Sequence, residues 1–167
     1  MPSHVLEADD KATRAIAVFG ADDERSLAAR YIAIYDRAEC RAFDSALSLA
    51  DQLIADCTRV LGRFYELTDK VIGRKWFSLN ESGDKRRALE FAEENRQAWH
   101  AAKGADDLNT LRWQFHHCMS TVENDVARQR LEVVVLAARK ALGQKHELTR
   151  TNKQRRLSSS IFVYFAN

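Results

Sequence analysis

Three features of the 167-residue sequence predict an all-α fold. The single proline is Pro2, so from Ser3 onward no residue lacks the backbone N–H that a helix uses. Only six glycines occur, too few for the many turns of a sheet protein. Apolar residues recur every three to four positions along most of the chain, the spacing of one buried helix face. The expected architecture is an antiparallel bundle of three to four helices around one long spine helix, with a flexible C-terminal tail. The bundle is expected over 1–143 and the tail over 144–167. A chain of this length is one domain by prior, large enough for a real core.

Taken in order, Ser3 is the expected N-cap of a short amphipathic helix marked by Val5, Ala8, Ala12, Ala15, Ile16 and Phe19, with Gly20 as its end. Asp22 and Asp23 then open the spine. Leu27, Tyr31, Ile34, Tyr35, Ala38, Ala42, Ala46, Leu49, Leu53, Cys57, Val60 and Leu61 keep helical spacing with no interrupting Gly or Pro. A continuous helix over 23–61 would be about 58 Å long from the rise per residue. A bend near 40–44 would shorten it, although no breaker stands there. Gly62 is expected inside the helix, because one interior glycine costs only about 1 kcal/mol. Phe64, Leu67, Val71 and Ile72 extend the stripe to Gly73, the expected stop. Residues 74–83 read as a loop with a buried aromatic pair, Trp76 and Phe77.

Residues 84–124 read as two helices separated by a sharp break. Leu89, Ala92, Trp99 and Ala102 mark the first; Leu108, Leu111, Phe115, Cys118, Met119 and Val122 mark the second. Between them Gly104 suits a left-handed helix end, Asp106 suits the next N-cap, and Asp107 suits the positive end of that helix dipole. So short a break folds two helices back on each other. The second helix can run on through Val126, Leu131, Val134, Val135, Ala138 and Leu142 to Gly143. The expected core includes Leu53, Leu61, Leu89, Trp99, Leu111 and Phe115.

The formal net charge is only +2, but it is unevenly placed: between Arg139 and Arg156 there are seven Lys or Arg and one Glu. That stretch is followed by the apolar run IFVYFAN. Three cysteines, Cys40, Cys57 and Cys118, show no CxxC spacing and sit among apolar helix positions. Packed, reduced thiols in a cytoplasmic protein are expected from this pattern, not a disulfide framework. The first twenty residues carry Glu7, Asp9 and Asp10 and lack the apolar core of a secretion signal. No run approaches the eighteen or so apolar residues of a membrane span.

Candidate chemistry is sparse. His116-His117-Cys118 contains metal-ligand types, but adjacent helical residues point about 100° apart and cannot share one ion. No Gly-rich phosphate loop of either common pattern occurs. No catalytic set, metal site or cofactor is therefore expected, and the chain is expected not to be an enzyme. His100-Ala101-Ala102-Lys103-Gly104 matches the HxxKG spacing around the phospho-accepting histidine of histidine phosphotransfer domains. There an exposed imidazole takes the phosphoryl group and the lysine stabilises its charge. The plainer reading is a surface histidine in the last turn of a helix, where its charge suits the dipole. Trp76, Trp99 and Trp113, with Phe77 and Phe115, cluster around the helix pair; the three tryptophans are candidates for a partner-binding patch as well as for core. The basic stretch carries no interleaved aromatics, so nucleic acid is not the expected partner.

Two stretches taken together resemble the helical lid of the Hsp70 chaperone substrate-binding domain. Ala50-Asp51-Gln52-Leu53-Ile54, followed by Thr58, Arg59 and Leu61, looks like that family's "ADxLI…TEKxL" helix. Ala98-Trp99-His100-Ala101-Ala102-Lys103-Gly104-Ala105-Asp106-Asp107-Leu108, through Leu111, is similar to its "ALKGDDLEAIKA" break. The lid-like region spans 23–123. The resemblance implies a non-enzymatic helical module that acts in chaperone-type contacts and lacks both the ATPase domain and the peptide-holding β-sandwich. Its implied partner is an Hsp70-type chaperone or a client protein. Self-association as a structural, dimeric bundle is the alternative, as is phosphotransfer through His100.

Overall fold

The structure, a computed structural model, describes residues 2–121 together with Val133, Leu136, Ala137, Lys140 and Gly143. The described residues are 82% helical and contain no strand. An ordinary domain is about one-third helix, so the class is all-α. Among the described residues there are six helices: α1 (Ser3–Phe19), α2 (Glu24–Glu39), α3 (Phe43–Val60), α4 (Glu66–Glu81), α5 (Lys85–Lys103) and α6 (Leu108–Ser120). They fall into two compact units, Met1–Gly83 and Asp84–Asn167, where sequence spacing suggests one bundle over 1–143. The tail over 144–167 and the continuation of the second helix toward Leu142 lie outside the described residues, apart from those five positions.

The expected spine helix is not continuous. Its first break falls at Cys40-Arg41-Ala42. The N–H of Ala42 donates to the carbonyl of Arg37 and that of Arg41 to the carbonyl of Ala38, the paired bonds of a Schellman cap. Arg41 holds the left-handed position, at φ 60°, that such caps usually give to glycine. The second break is at Gly62, with φ 97°, whose N–H closes on the carbonyl of Thr58. Gly62 therefore ends a helix, and Gly73 lies inside one: the expected roles are reversed. Residues 74–81, expected as loop, are the second half of α4.

In the first unit α2 is the central helix: it packs against α1, α3 and α4, and α3 also packs against α4. Leu27, Tyr31, Ile34 and Ala38 of α2 face Ala46, Ala50, Leu53 and Cys57 of α3 and Leu67 and Val71 of α4. The small alanines on α3 let the helices approach closely, and the leucines fill the space between. Buried and half-buried ion pairs tie the same helices together. Arg30 of α2 donates to Asp56 of α3 at 2.7 Å, and Lys75 of α4 lies 2.6 Å from Asp51 of α3. Arg74 of α4 is buried, with its guanidinium 3.9 Å from the Tyr35 ring centroid and 4.9 Å from that of Phe77, while Nη1 donates to Glu39 at 2.8 Å. A buried cation here is satisfied by one carboxylate and two ring faces.

In the second unit α5 and α6 form the expected hairpin. Ala88, Ala92, Asn95 and Trp99 make the buried stripe of α5. Gly104, at φ 93°, ends the helix as expected. The N-cap of α6 is Asp107 and not Asp106: Asp107 Oδ1 accepts from the N–H groups of Asn109 and Thr110. Likewise α1 begins at Ser3 with Pro2 as its cap residue, so Ser3 is not the N-cap. Of the expected core, Leu53, Trp99, Leu111 and Phe115 are buried, whereas Leu61 and Leu89 are half-buried. Leu61 is the C-cap of α3, one step past the face that Leu53 and Cys57 define, and Ala88 takes the inward position beside Leu89.

The corners at Gly62 and Gly104 share one device. Thr68, the third residue of α4, donates its hydroxyl to the carbonyl of Gly62 at 2.8 Å. Thr110, the third residue of α6, donates to the carbonyl of Gly104 at 2.9 Å. Each threonine ties the start of one helix to the end of the one before it.

Candidate interaction surface

The surface candidate lies at one end of the first unit, and hydrogen bonds assemble it from two corners. The α1–α2 corner contributes Phe19, Asp22, Asp23, Glu24 and Arg25; the α3–α4 corner contributes Arg59, Arg63, Phe64 and Tyr65. Arg59 donates from both terminal nitrogens to the two oxygens of Asp22, at 2.8 and 2.6 Å. The Tyr65 hydroxyl donates to Glu24 Oε1 at 2.8 Å. These contacts span 37 and 41 residues, so the two corners meet only in the folded unit.

This end gathers the exposed aromatics. Phe19 is 41% exposed, Phe64 39% and Tyr65 40%, and they are the only exposed phenylalanine, tyrosine or tryptophan side chains among the described residues. Ile16 and Val18, on the last turn of α1, are exposed as well. Arginines accompany the rings: the Arg25 guanidinium lies 3.6 Å from the Phe19 centroid and that of Arg63 lies 5.7 Å from Phe64. Aromatic residues and arginine are the types that dominate protein-binding hot spots.

The charges here are matched within the unit. The hydrogen bond from Arg59 holds the Asp22 carboxyl below its ordinary value. The side-chain hydrogen bond from Arg25, helped by that residue's backbone N–H, holds Asp23 at about 2. The bond to Glu24 raises the Tyr65 phenol. With Asp22, Asp23 and Glu24 each already bonded within the unit and three arginines beside these three carboxylates, this surface offers little unbalanced field to a polyanion. Its other feature is exposed apolar and aromatic area.

The three tryptophans anticipated as a partner patch are not part of any exposed surface. Trp76, Trp99 and Trp113 are 2%, 4% and 0% exposed. Each falls on the inward stripe of its helix, and in the hairpin Phe91 of α5 meets Trp113 edge-on with centroids 6.2 Å apart. Helical spacing distinguishes inward from outward only when the helix boundaries are right. Trp76, assigned to a loop, lies in the middle of α4. Helical spacing places Phe19 and Phe64 on apolar stripes and gives Tyr65 no role, whereas the structure exposes all three. Phe19 directly precedes Gly20, and Phe64 and Tyr65 directly follow Gly62. An aromatic residue beside a helix-ending glycine is the sequence signal that marks them.

The remaining candidates are placed as follows. His100 is exposed on the last turn of α5, but Gly104 is the C-cap beyond the helix, so HxxKG does not lie on one helical face. His116 is buried between Trp113 and Phe115, at centroid distances of 5.1 and 6.2 Å, whereas His117 is half-buried with Nε2 3.8 Å from Glu93. No group of three His, Cys, Asp or Glu among the described residues is arranged to hold a metal ion. No helix among them is long and apolar enough to cross a membrane. Cys57 and Cys118 are buried, Cys40 is partly exposed, and all three are free thiols. Comparison with protein-family models, with curated proteins and with solved structures gives no match to this chain.

Proposed function

We propose that the chain is a non-enzymatic helical module that binds another protein through the paired-corner surface of its first unit. The observation that carries this reading is the convergence of Phe19, Phe64 and Tyr65, from corners far apart in sequence, on one end held by Asp22–Arg59 and Glu24–Tyr65. Exposed aromatic area beside arginines, with its carboxylates already bonded, suits burial against a protein. The partner class implied by the lid resemblance is an Hsp70-type chaperone or its client. The form of the α5–α6 hairpin supports that choice, with Gly104 ending one helix and Asp107 capping the next within the quoted motif.

The test compares the full chain with Phe19→Ser/Phe64→Ser, two exposed positions whose replacement leaves the core intact. Sedimentation reports self-association, and calorimetric titration with a purified Hsp70-type chaperone reports that interaction. Association in either assay that is lost in the double variant, with the circular dichroism spectrum unchanged, is the expected result. No association by the unaltered chain, or association indifferent to the substitutions, sinks the proposal. So does salt-steep binding of DNA or RNA that disappears when the chain is ended at Gly143.

A further inference from the structure

At the other end of the first unit, two chemically capable residues 36 positions apart come together. Nε2 of His4, in the first turn of α1, lies 3.1 Å from Sγ of Cys40, the C-cap of α2. The antiparallel packing of α1 on α2 creates this pair, and an Asp9–Arg37 ion pair between the same two helices holds it in register. The separation is that of a nucleophile and its base. His4 is exposed and Cys40 partly so, and a reagent in solution can therefore reach the sulfur. The other two thiols differ. Cys57 is fully buried, and burial pushes its thiol up to about 11; Cys118 is buried in the hairpin. A buried structural cysteine of this kind is inert.

The position of Cys40 also dictates how it would react. It is the C-cap of α2, and its sulfur faces Nε2 of His4. Its proton must leave as the sulfur attacks, and His4 is the acceptor in reach. We infer that Cys40 is a site of thiol modification, with His4 as general base and low-molecular-weight disulfides, such as oxidised glutathione, as the reagent class.

In this reaction the Cys40 S–H gives its proton to His4 Nε2 while Sγ attacks one sulfur of the disulfide. The Sγ–S bond forms and the reagent's S–S bond breaks. The departing thiolate recovers the proton from Nε2, leaving neutral imidazole. Cys40 is oxidised to a mixed disulfide, and half of the reagent is reduced to a free thiol, so atoms, protons and electrons balance.

The experiment treats the full chain with oxidised glutathione at neutral pH and follows adducts by intact and peptide mass spectrometry. The first adduct is expected on Cys40, faster than on the same residue in the urea-unfolded chain at the same pH. His4→Gln is expected to slow it by about tenfold or more, the low end of general-base effects. Cys40→Ser should leave no fast adduct. A first adduct on Cys57 or Cys118, a native rate no greater than the unfolded rate, or a His4→Gln rate equal to that of the unaltered chain overturns the assignment. The native-versus-unfolded comparison uses the unaltered protein, so it decides the question even if the His4 variant folds poorly.

Discussion

Arg37 forks onto Asp9, each terminal nitrogen standing 2.6 Å from a separate carboxylate oxygen, while Nη1 also donates to the carbonyl of Ala33 at 3.0 Å. The fork joins α2 to α1 at a place where α1 has little else to offer. That helix buries only Val5, Ala8 and Ala12. Three small side chains hold a helix of 17 residues poorly by area alone, so a paired, half-buried charge contributes a large share of the attachment.

Asp9→Ala is therefore expected to destabilise the chain by about 1–3 kcal/mol, because it leaves the buried Arg37 without its carboxylate. Urea unfolding measures this. A loss below about 0.5 kcal/mol, the scale of an ordinary surface change, shows that the fork does not hold α1.

Leu53→Ala should cost about 2–5 kcal/mol, since the side chain is 0% exposed in the α2–α3–α4 core. Leu61→Ala should cost clearly less, because Leu61 is only half-buried at the α3 end. Equal losses in denaturant midpoint would contradict the observed inward face of α3.

Backbone conformation predicts the sign of the change at three positions. Gly73 is helical and a Cβ there meets nothing within 4 Å, so Gly73→Ala should stabilise by about 0.5–1 kcal/mol. Gly62 stands at φ +97°, so Gly62→Ala should destabilise by about 1 kcal/mol even though its Cβ also meets open space. Arg41→Gly relieves a left-handed arginine and should stabilise by about 0.5 kcal/mol, the gain reduced by the freer unfolded chain. Thermal unfolding of the three variants checks all the signs together.

Stability should fall on mild acidification. Burial, and secondarily the charge of Arg112, hold the His116 imidazole well below its ordinary value. The unfolded chain takes up a proton near about pH 6.5 that the folded chain refuses. The neutral histidine therefore imposes no penalty above that pH, and stability declines as pH drops below it. Glu93 acts in a lower window. The side-chain hydrogen bond from Arg96 holds it at about 2, so its contribution is complete above about 4.5 and lost between 4.5 and about 2. Urea midpoints measured at neutral and mildly acidic pH should differ, and His116→Gln should flatten that difference. Identical midpoints in the unaltered chain would refute the first part.

The class of fold was legible because its causes are local: no proline after Pro2, few glycines, and sustained helical spacing. The α5–α6 hairpin was legible for the same reason, with Gly104 and a capping aspartate adjacent in sequence, though the cap proved to be Asp107. The breaks in the expected spine were not. At Arg41 the turn is made by a residue with no turn preference, and its support comes from two backbone bonds that leave no trace in composition. At Gly62 and Gly73 composition is silent on which glycine turns; the difference is that Thr68 stands where its hydroxyl can reach Gly62. The candidate surface was least legible. It depends on Asp22 meeting Arg59 and Glu24 meeting Tyr65, and pairings at that range are set by tertiary packing alone.

The hydroxyl bridges from Thr68 to Gly62 and from Thr110 to Gly104 bear on the order of folding. Each closes a loop of six residues, and loops that short close in well under a microsecond, far faster than the long-range packing of α1 or the Asp22–Arg59 contact. The two corners can therefore be native before the helices they join have settled. The expected order is that α3–α4 and α5–α6 zip outward from these corners. Replacing either threonine by valine should slow refolding more than it hastens unfolding, whereas disrupting the Asp9–Arg37 fork should act mainly on the unfolding rate.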